Sequence, residues 1–186
     1  MLRFATLAAC AAATCLLASS AAPVAADDTM LKVKEGDKFP NLPLAAAQID
    51  KKDAKTVSIA DFKGKVVVIF FYPKALTKGC TVESCGFRDI AKEFPENVVL
   101  LGASADTLEK QREFINENKL PMLLLADTDM KLIKELGIVR AAGAKVSARI
   151  TFVIDKDGKI AKIYEPSKID VNKHPKEVLE FVKTLK

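Results

Sequence analysis

The chain has one histidine, His174, and four cysteines, of which only Cys80 and Cys85 lie beyond the first 26 residues. A lone histidine excludes a His-rich zinc centre, and Cys-x4-Cys is not a standard zinc spacing. There is no Cys-x-x-Cys, so the thioredoxin-type redox motif is absent as well. The stretch "DKDG" (155–158) opens like a calcium loop but lacks the later acidic ligands, which leaves a hairpin turn. No internal repeat, low-complexity tract or second-domain boundary is visible. Charged residues make up 28% and apolar residues 49%, an ordinary globular balance that excludes a disordered chain. Nor is the charge one-sided. Lys and Arg number 29 against 24 Asp and Glu, a net +5, and the lysines are scattered among acids. That pattern reads as a solvated surface, not a nucleic-acid footprint.

The only long apolar stretch without charge is at the N-terminus. Arg3 is followed by an Ala/Leu-rich segment from Phe4 to Ala18, then by small residues up to Val24, Ala25 and Ala26 before Asp27. Small residues one and three positions before a cut fit a secretory signal peptide spanning 1–26. Ser19, Ser20 and Pro23 interrupt the segment too early for a membrane anchor. A lipoprotein cut before Cys10, after "LAA", would leave a nine-residue leader, too short for a complete apolar region. The expectation is export to the periplasm or beyond, with no stable membrane anchor after cleavage. The mature chain, 27–186, then carries Arg3's loss as a net +4 and holds Cys80 and Cys85 alone. A single pair in an oxidising compartment is no disulfide framework for a small fold.

Along the mature chain, strands alternate with helices. Residues 30–43 are turn-rich and extended, with Gly36, Pro40 and Pro43. "KTVSIADF" (55–62) reads as a strand closing in a turn or short helix. "KVVVIFFY" (65–72) is a continuous β-branched and aromatic run, suited to a strand buried on both faces, and Pro73 stops it. A helix is predicted from Lys78 to Phe94, then a strand over 97–105, an amphipathic helix over 107–118, a short strand over 122–127 and a helix over 129–138 that Gly137 ends. A hairpin over 149–165 and an amphipathic helix over 174–186, with Pro175 in its first turn, close the chain. The order implies one α/β domain, a central mixed sheet with helices on both faces.

The stretch "FYPKALTKGCTVESCGFRD" (71–89) carries the chemistry. Cys80 falls at the start of a helix that follows the buried strand, the strand end at which open α/β sheets bind ligands. First-turn N–H groups favour an anion there, and a thiolate is one. Lys74 and Lys78 add positive charge, and Gly79 leaves room beside the sulfur. The bland alternative is a buried, inert thiol. Spacing speaks against that and against a static bond. Five residues along an intact helix separate Cα atoms by about 8.6 Å, whereas a disulfide needs roughly 4.4–6.8 Å. A Cys80–Cys85 bond therefore requires the first helical turns to unwind.

Pro73-x-x-x-Thr77-x-x-Cys80 resembles the peroxiredoxin signature, and the longer stretch resembles the peroxiredoxin Q, or bacterioferritin-comigratory, subgroup. The similarity runs from "EGDKFPNLPL" to the C-terminal helix. It implies a thioredoxin-like fold with an N-terminal strand or hairpin extension. It also implies thiol-based reduction of hydrogen peroxide and organic hydroperoxides, without a cofactor or metal. By that resemblance Cys80 is the peroxidatic cysteine and Cys85 the resolving one, joined in an intrachain disulfide that a thioredoxin-like protein reopens. Thr77 would bind peroxide and thiolate, Pro73 would shield the sulfenic acid, and Arg149 would hold the thiolate. Arg88, two turns down the helix, is the competing cation. Glu83 either orients the arginine or is a solvated first-turn carboxylate. The subgroup includes monomers and homodimers. Two other readings remain at this stage: a thiol–disulfide oxidoreductase acting on proteins, and a redox sensor on the same scaffold.

Overall fold

A computed structural model describes residues 30–51, 53 and 55–185. The expected signal peptide, residues 1–26, lies outside the described residues. Seven strands form one sheet: β1 (Leu44–Ala47), β2 (Lys55–Val57), β3 (Val66–Phe71), β4 (Val98–Ser104), β5 (Leu123–Ala126), β6 (Ile150–Ile154) and β7 (Ile160–Tyr164). Their spatial order is β2-β1-β5-β4-β3-β6-β7. β3, β4 and β5 run parallel, while β1 and β6 are antiparallel to their parallel neighbours. The hairpin β1–β2 is the expected N-terminal extension.

The two-face reading of "VVVIFF" explains why β3 is central. All six residues are buried. Val67, Ile69 and Phe71 join the core on one face, with Leu132, Ile133 and Leu136 of helix α3 (Lys131–Leu136). Val66, Val68 and Phe70 join the core on the other, as the two-residue period of a strand requires. That second face is covered by α1 (Lys78–Asp89), α2 (Leu108–Asn118) and α4 (His174–Thr184). Phe70 of β3 stacks on Phe87 of α1 with ring centroids 4.6 Å apart. Burying a side chain of this size contributes roughly 1.5–3 kcal/mol, so Phe87 anchors the cysteine-bearing helix to the sheet.

Two elements differ from the sequence-based expectation. The helix predicted to reach Phe94 ends at Asp89, and a short 3-10 turn, Ala91–Glu93, follows. Phe94 precedes Pro95, which disfavours helical backbone, and it adopts an extended conformation with its ring buried. Strand β1 is built from "LAAA", a sequence with little strand propensity. Its pairing with both β2 and β5, and its burial, stabilise what local preference does not. Gly137 ends α3 as expected, in the left-handed conformation at φ 73°. No helix among the described residues is long and apolar enough to cross a membrane.

Candidate active site

Topology brings the separated site residues together. β3 ends at Phe71, and the chain passes through Tyr72 and Pro73 into a loop that feeds α1. β6 runs antiparallel to β3 with Ile150 opposite Phe71. Arg149, the residue before β6, is therefore delivered to the strand end that carries Cys80. Cys80 and Arg149 are 69 residues apart in sequence, yet Arg149 Nη2 donates to Cys80 Sγ at 3.3 Å. The Cys80 residue is 1% exposed, so only a small or extended group can reach its sulfur.

α1 begins after Thr77, which has extended backbone and serves as the N-cap residue. The Thr81 N–H donates to the Thr77 carbonyl at 2.9 Å, closing the first turn. Cys80 lies within that first turn, where helix N–H groups lack intrahelical acceptors. The Thr77 hydroxyl donates to the Lys74 carbonyl at 2.8 Å. Its hydrogen is thereby committed, and its lone pairs remain for a ligand proton. Pro73 is half-buried at the start of the same loop. Gly79 lies against the cation, since a Cβ added there would sit 3.4 Å from Arg149 Nη2.

Glu83 is not a solvated first-turn carboxylate. It is fully buried and paired with Arg149 Nη1 through Oε2. One turn separates Glu83 from Cys80, so both project from α1 toward the same guanidinium. Burial pushes the Glu83 carboxyl up to about 7, against the lowering effect of Arg149. Burial also works against the charge on Arg149, but Glu83 and Cys80 beside it more than offset this and hold it above its ordinary value. Arg88 faces elsewhere. It pairs with Asp89 and donates to the Asn118 carbonyl at 2.7 Å, on the end of α2.

Cys85 also faces α2. Its thiol lies 3.7 Å from Asn118 Oδ1 and is half-buried. Both cysteines are free thiols on the continuous helix α1. Gly86 lets that helix close on α4, where an added Cβ would lie 2.8 Å from Pro175 Cγ. Behind the helix, His174 is buried between Phe87 and Tyr164 and shares a 2.8 Å hydrogen bond with Thr151 Oγ1. Burial, and then the charge of Arg149, lower the His174 imidazole to about 4, so it is neutral near pH 7.

Sequence reasoning missed the polar groups beneath the 73–77 loop: Ser104, Asp106 and Gln111. The signal was available, because "SAD" (104–106) spans the end of β4, a strand parallel to β3, and so lies at the same edge of the sheet. A cavity of about 270 Å³ lined by Phe39, Phe62, Val67 and Gly158 lies at the opposite end of β3 and contributes nothing to Cys80. Among the described residues no group of three or more His, Cys, Asp and Glu could hold a metal ion.

Comparison with known proteins gives a consistent neighbourhood. The profile of the AhpC/TSA family matches residues 36–163. The chain is 36% identical over 161 residues to "Peroxiredoxin Bcp" of Bacillus subtilis, covering 83% of this chain and 98% of that one. It is 33% identical over 169 residues to "Peroxiredoxin Q, chloroplastic" of Sedum lineare, covering 90% and 88%. Among solved structures, the peroxidoxin BcpB of Mycobacterium tuberculosis superimposes with a TM-score of 0.74 at 30% identity, covering 83% and 99%. A PrxQ variant of Xylella fastidiosa, at 24% identity, shares the fold with a TM-score of 0.72 over 81% and 96%.

Proposed function

This chain belongs to the AhpC/TSA family as a peroxiredoxin of the Bcp/Q type, and from that premise we propose that Cys80 is its peroxidatic thiol and Cys85 its resolving thiol. The protein is a thiol peroxidase, and peroxiredoxins act on peroxides and are reduced by thioredoxin-like partners. The observation that carries the assignment is the 3.3 Å contact between Arg149 Nη2 and Cys80 Sγ at the start of α1.

In the proposed cycle the Cys80 thiolate attacks the terminal oxygen of a hydroperoxide. An S–O bond forms, the O–O bond breaks, and the alkoxide or hydroxide leaves and takes up a proton. Arg149 supplies positive charge and a hydrogen-bond donor where charge moves from sulfur to oxygen. The Thr77 hydroxyl oxygen accepts a hydrogen bond from the peroxide O–H, and Pro73 walls the sulfenic acid from one side. Glu83 holds the Arg149 fork in register. The Cys85 thiolate then attacks the Cys80 sulfur, an S–S bond forms, and hydroxide leaves as water after protonation. Because α1 carries both cysteines, that step needs α1 to open. A dithiol reductant restores both thiols by exchange.

We further propose that the chain is exported after cleavage following Ala26, so that its reductant is an exported thioredoxin-like protein. The composition of residues 1–26 supports this. Mass spectrometry of the mature N-terminus tests it, and an intact Met1 would refute it. For the catalytic assignment, peroxide consumption is measured with a dithiol reductant. Cys80→Ser should abolish turnover, whereas Cys85→Ser should still be oxidised by peroxide but lose recycling through the intrachain bond. Sustained turnover by Cys80→Ser would overturn the assignment.

A further inference from the structure

We propose that Asp106 is a positioning residue for the oxidation step, fixing the 73–77 loop over Cys80 from beneath. Its Oδ2 accepts the Ala75 N–H at 2.8 Å and the Ser104 hydroxyl at 2.7 Å. Ala75 is in the middle of the loop, between Pro73 and Thr77. The next residue, Leu76, has φ 63°, a left-handed conformation that costs a branched side chain free energy unless its surroundings fix it. A carboxylate gripping the N–H immediately before that residue is a direct means of fixing it.

The grip is itself anchored. The Ser104 hydroxyl has one hydrogen and two lone pairs, and all are used. It donates to Asp106, and it accepts from Gln111 Nε2 at 2.8 Å and from the Asp106 N–H at 3.1 Å. Gln111 Nε2 also donates to the Leu125 carbonyl at 3.0 Å, and its Oε1 accepts the Tyr72 hydroxyl. From the other side, the Ser147 hydroxyl donates to the Tyr72 carbonyl at 3.0 Å. Tyr72, Ser104, Gln111 and Ser147 are all fully buried. The loop is thus held at both Tyr72 and Ala75 by a buried network reaching β4, β5 and α2. In a low-dielectric interior such a network holds one geometry. Asp106 is its only charged member, and the Asp106–Ala75 bond is the link that leaves the network for the loop.

The consequence is kinetic. The oxidation step requires Thr77 and Pro73 at a fixed distance from the attacking sulfur, and a displacement of about 1 Å at a reacting centre costs on the order of 100-fold. The resolution step occurs after α1 opens and does not use that geometry. Loss of Asp106 should therefore slow one phase and spare the other.

The inference rests on the peroxidase reading, and stopped-flow kinetics with hydrogen peroxide separate the two. If that reading fails, the wild-type protein shows no oxidation phase. If the present inference fails, the wild type oxidises normally and so does Asp106→Ala. The expected result is a fall of roughly 10- to 100-fold in the second-order oxidation constant of Asp106→Ala, with the later, peroxide-independent phase unchanged. Asp106→Asn keeps an oxygen that can accept from both Ala75 and Ser104, so it should regain most of the lost rate, and it provides a folded reference should the alanine variant not fold. An oxidation constant within twofold of wild type in folded Asp106→Ala would overturn the inference. So would an equal loss in both phases, or an Asp106→Asn variant slowed in both phases.

Discussion

Replacing Glu83 by Gln should expose a pH dependence of stability that the wild-type protein conceals. Two buried groups titrate in opposite senses. The Glu83 carboxyl is raised from 4.5 to about 7, chiefly by burial. Its contribution to stability is complete below pH 4.5 and is lost as pH rises through 7. The His174 imidazole is lowered from 6.5 to about 4, again chiefly by burial. Its contribution is complete above pH 6.5 and is lost as pH falls through 4. At about 1.36 kcal/mol per pH unit, each span corresponds to about 3 kcal/mol. Between pH 4.5 and 6.5 the two slopes oppose each other and nearly cancel. Glu83→Gln removes one of them. Urea unfolding of this variant should then lose about 3 kcal/mol on going from pH 6.5 to 4, while the wild type changes much less over pH 4.5–6.5. Parallel stability curves for the two proteins would refute the assignment of opposing buried groups.

Further outcomes follow from individual contacts. Arg149→Gln removes the cation at Cys80 Sγ and should slow oxidation by peroxide roughly 100- to 1,000-fold, as loss of a preorganised charge-stabilising donor does; a change under threefold in stopped-flow would argue against its role. Gly102→Ala places a Cβ 2.5 Å from Leu124 Cδ2 and 3.0 Å from Phe70 Cζ, so denaturant unfolding should register a loss of about 1–3 kcal/mol, and an unchanged midpoint would contradict this close approach of the Leu124 and Phe70 side chains to Gly102. Oxidation of the cysteine pair should abolish amide-exchange protection around residues 78–89, because the bond cannot form on an intact α1; retained protection in the oxidised protein would contradict the unwinding argument.

The sequence reveals different parts of this structure unevenly. The strand "VVVIFF" and the redox stretch after it are legible, because a two-faced apolar run and a helix-start cysteine are local patterns. So is the hairpin turn at Asp155–Gly158. Strand β1 is not legible, because "LAAA" is held by its neighbours β2 and β5 and not by its own preference. The helix starting at Lys78 ends early because Pro95 and the burial of Phe94 redirect the chain, an outcome that a helical period over 78–94 cannot register. At the site, resemblance to a family supplies Arg149, and only the antiparallel register of β6 explains its arrival beside Cys80. Glu83 looks like an ordinary first-turn acid, and its burial depends on packing that is not local. Ser104, Asp106 and Gln111 are common polar residues whose meaning comes from converging on Tyr72 and Ala75, contacts made across 31 to 39 residues.

The central claim is that one peroxide oxidises Cys80 and that Cys85 then captures it within the same chain. It is tested most directly by intact mass after one equivalent of hydrogen peroxide without reductant. The wild-type chain should lose the mass of two hydrogens, Cys85→Ser should gain one oxygen atom, and Cys80→Ser should remain unchanged. An oxygen adduct on Cys80→Ser, or a wild-type chain that gains oxygen without forming the intrachain bond, would contradict it.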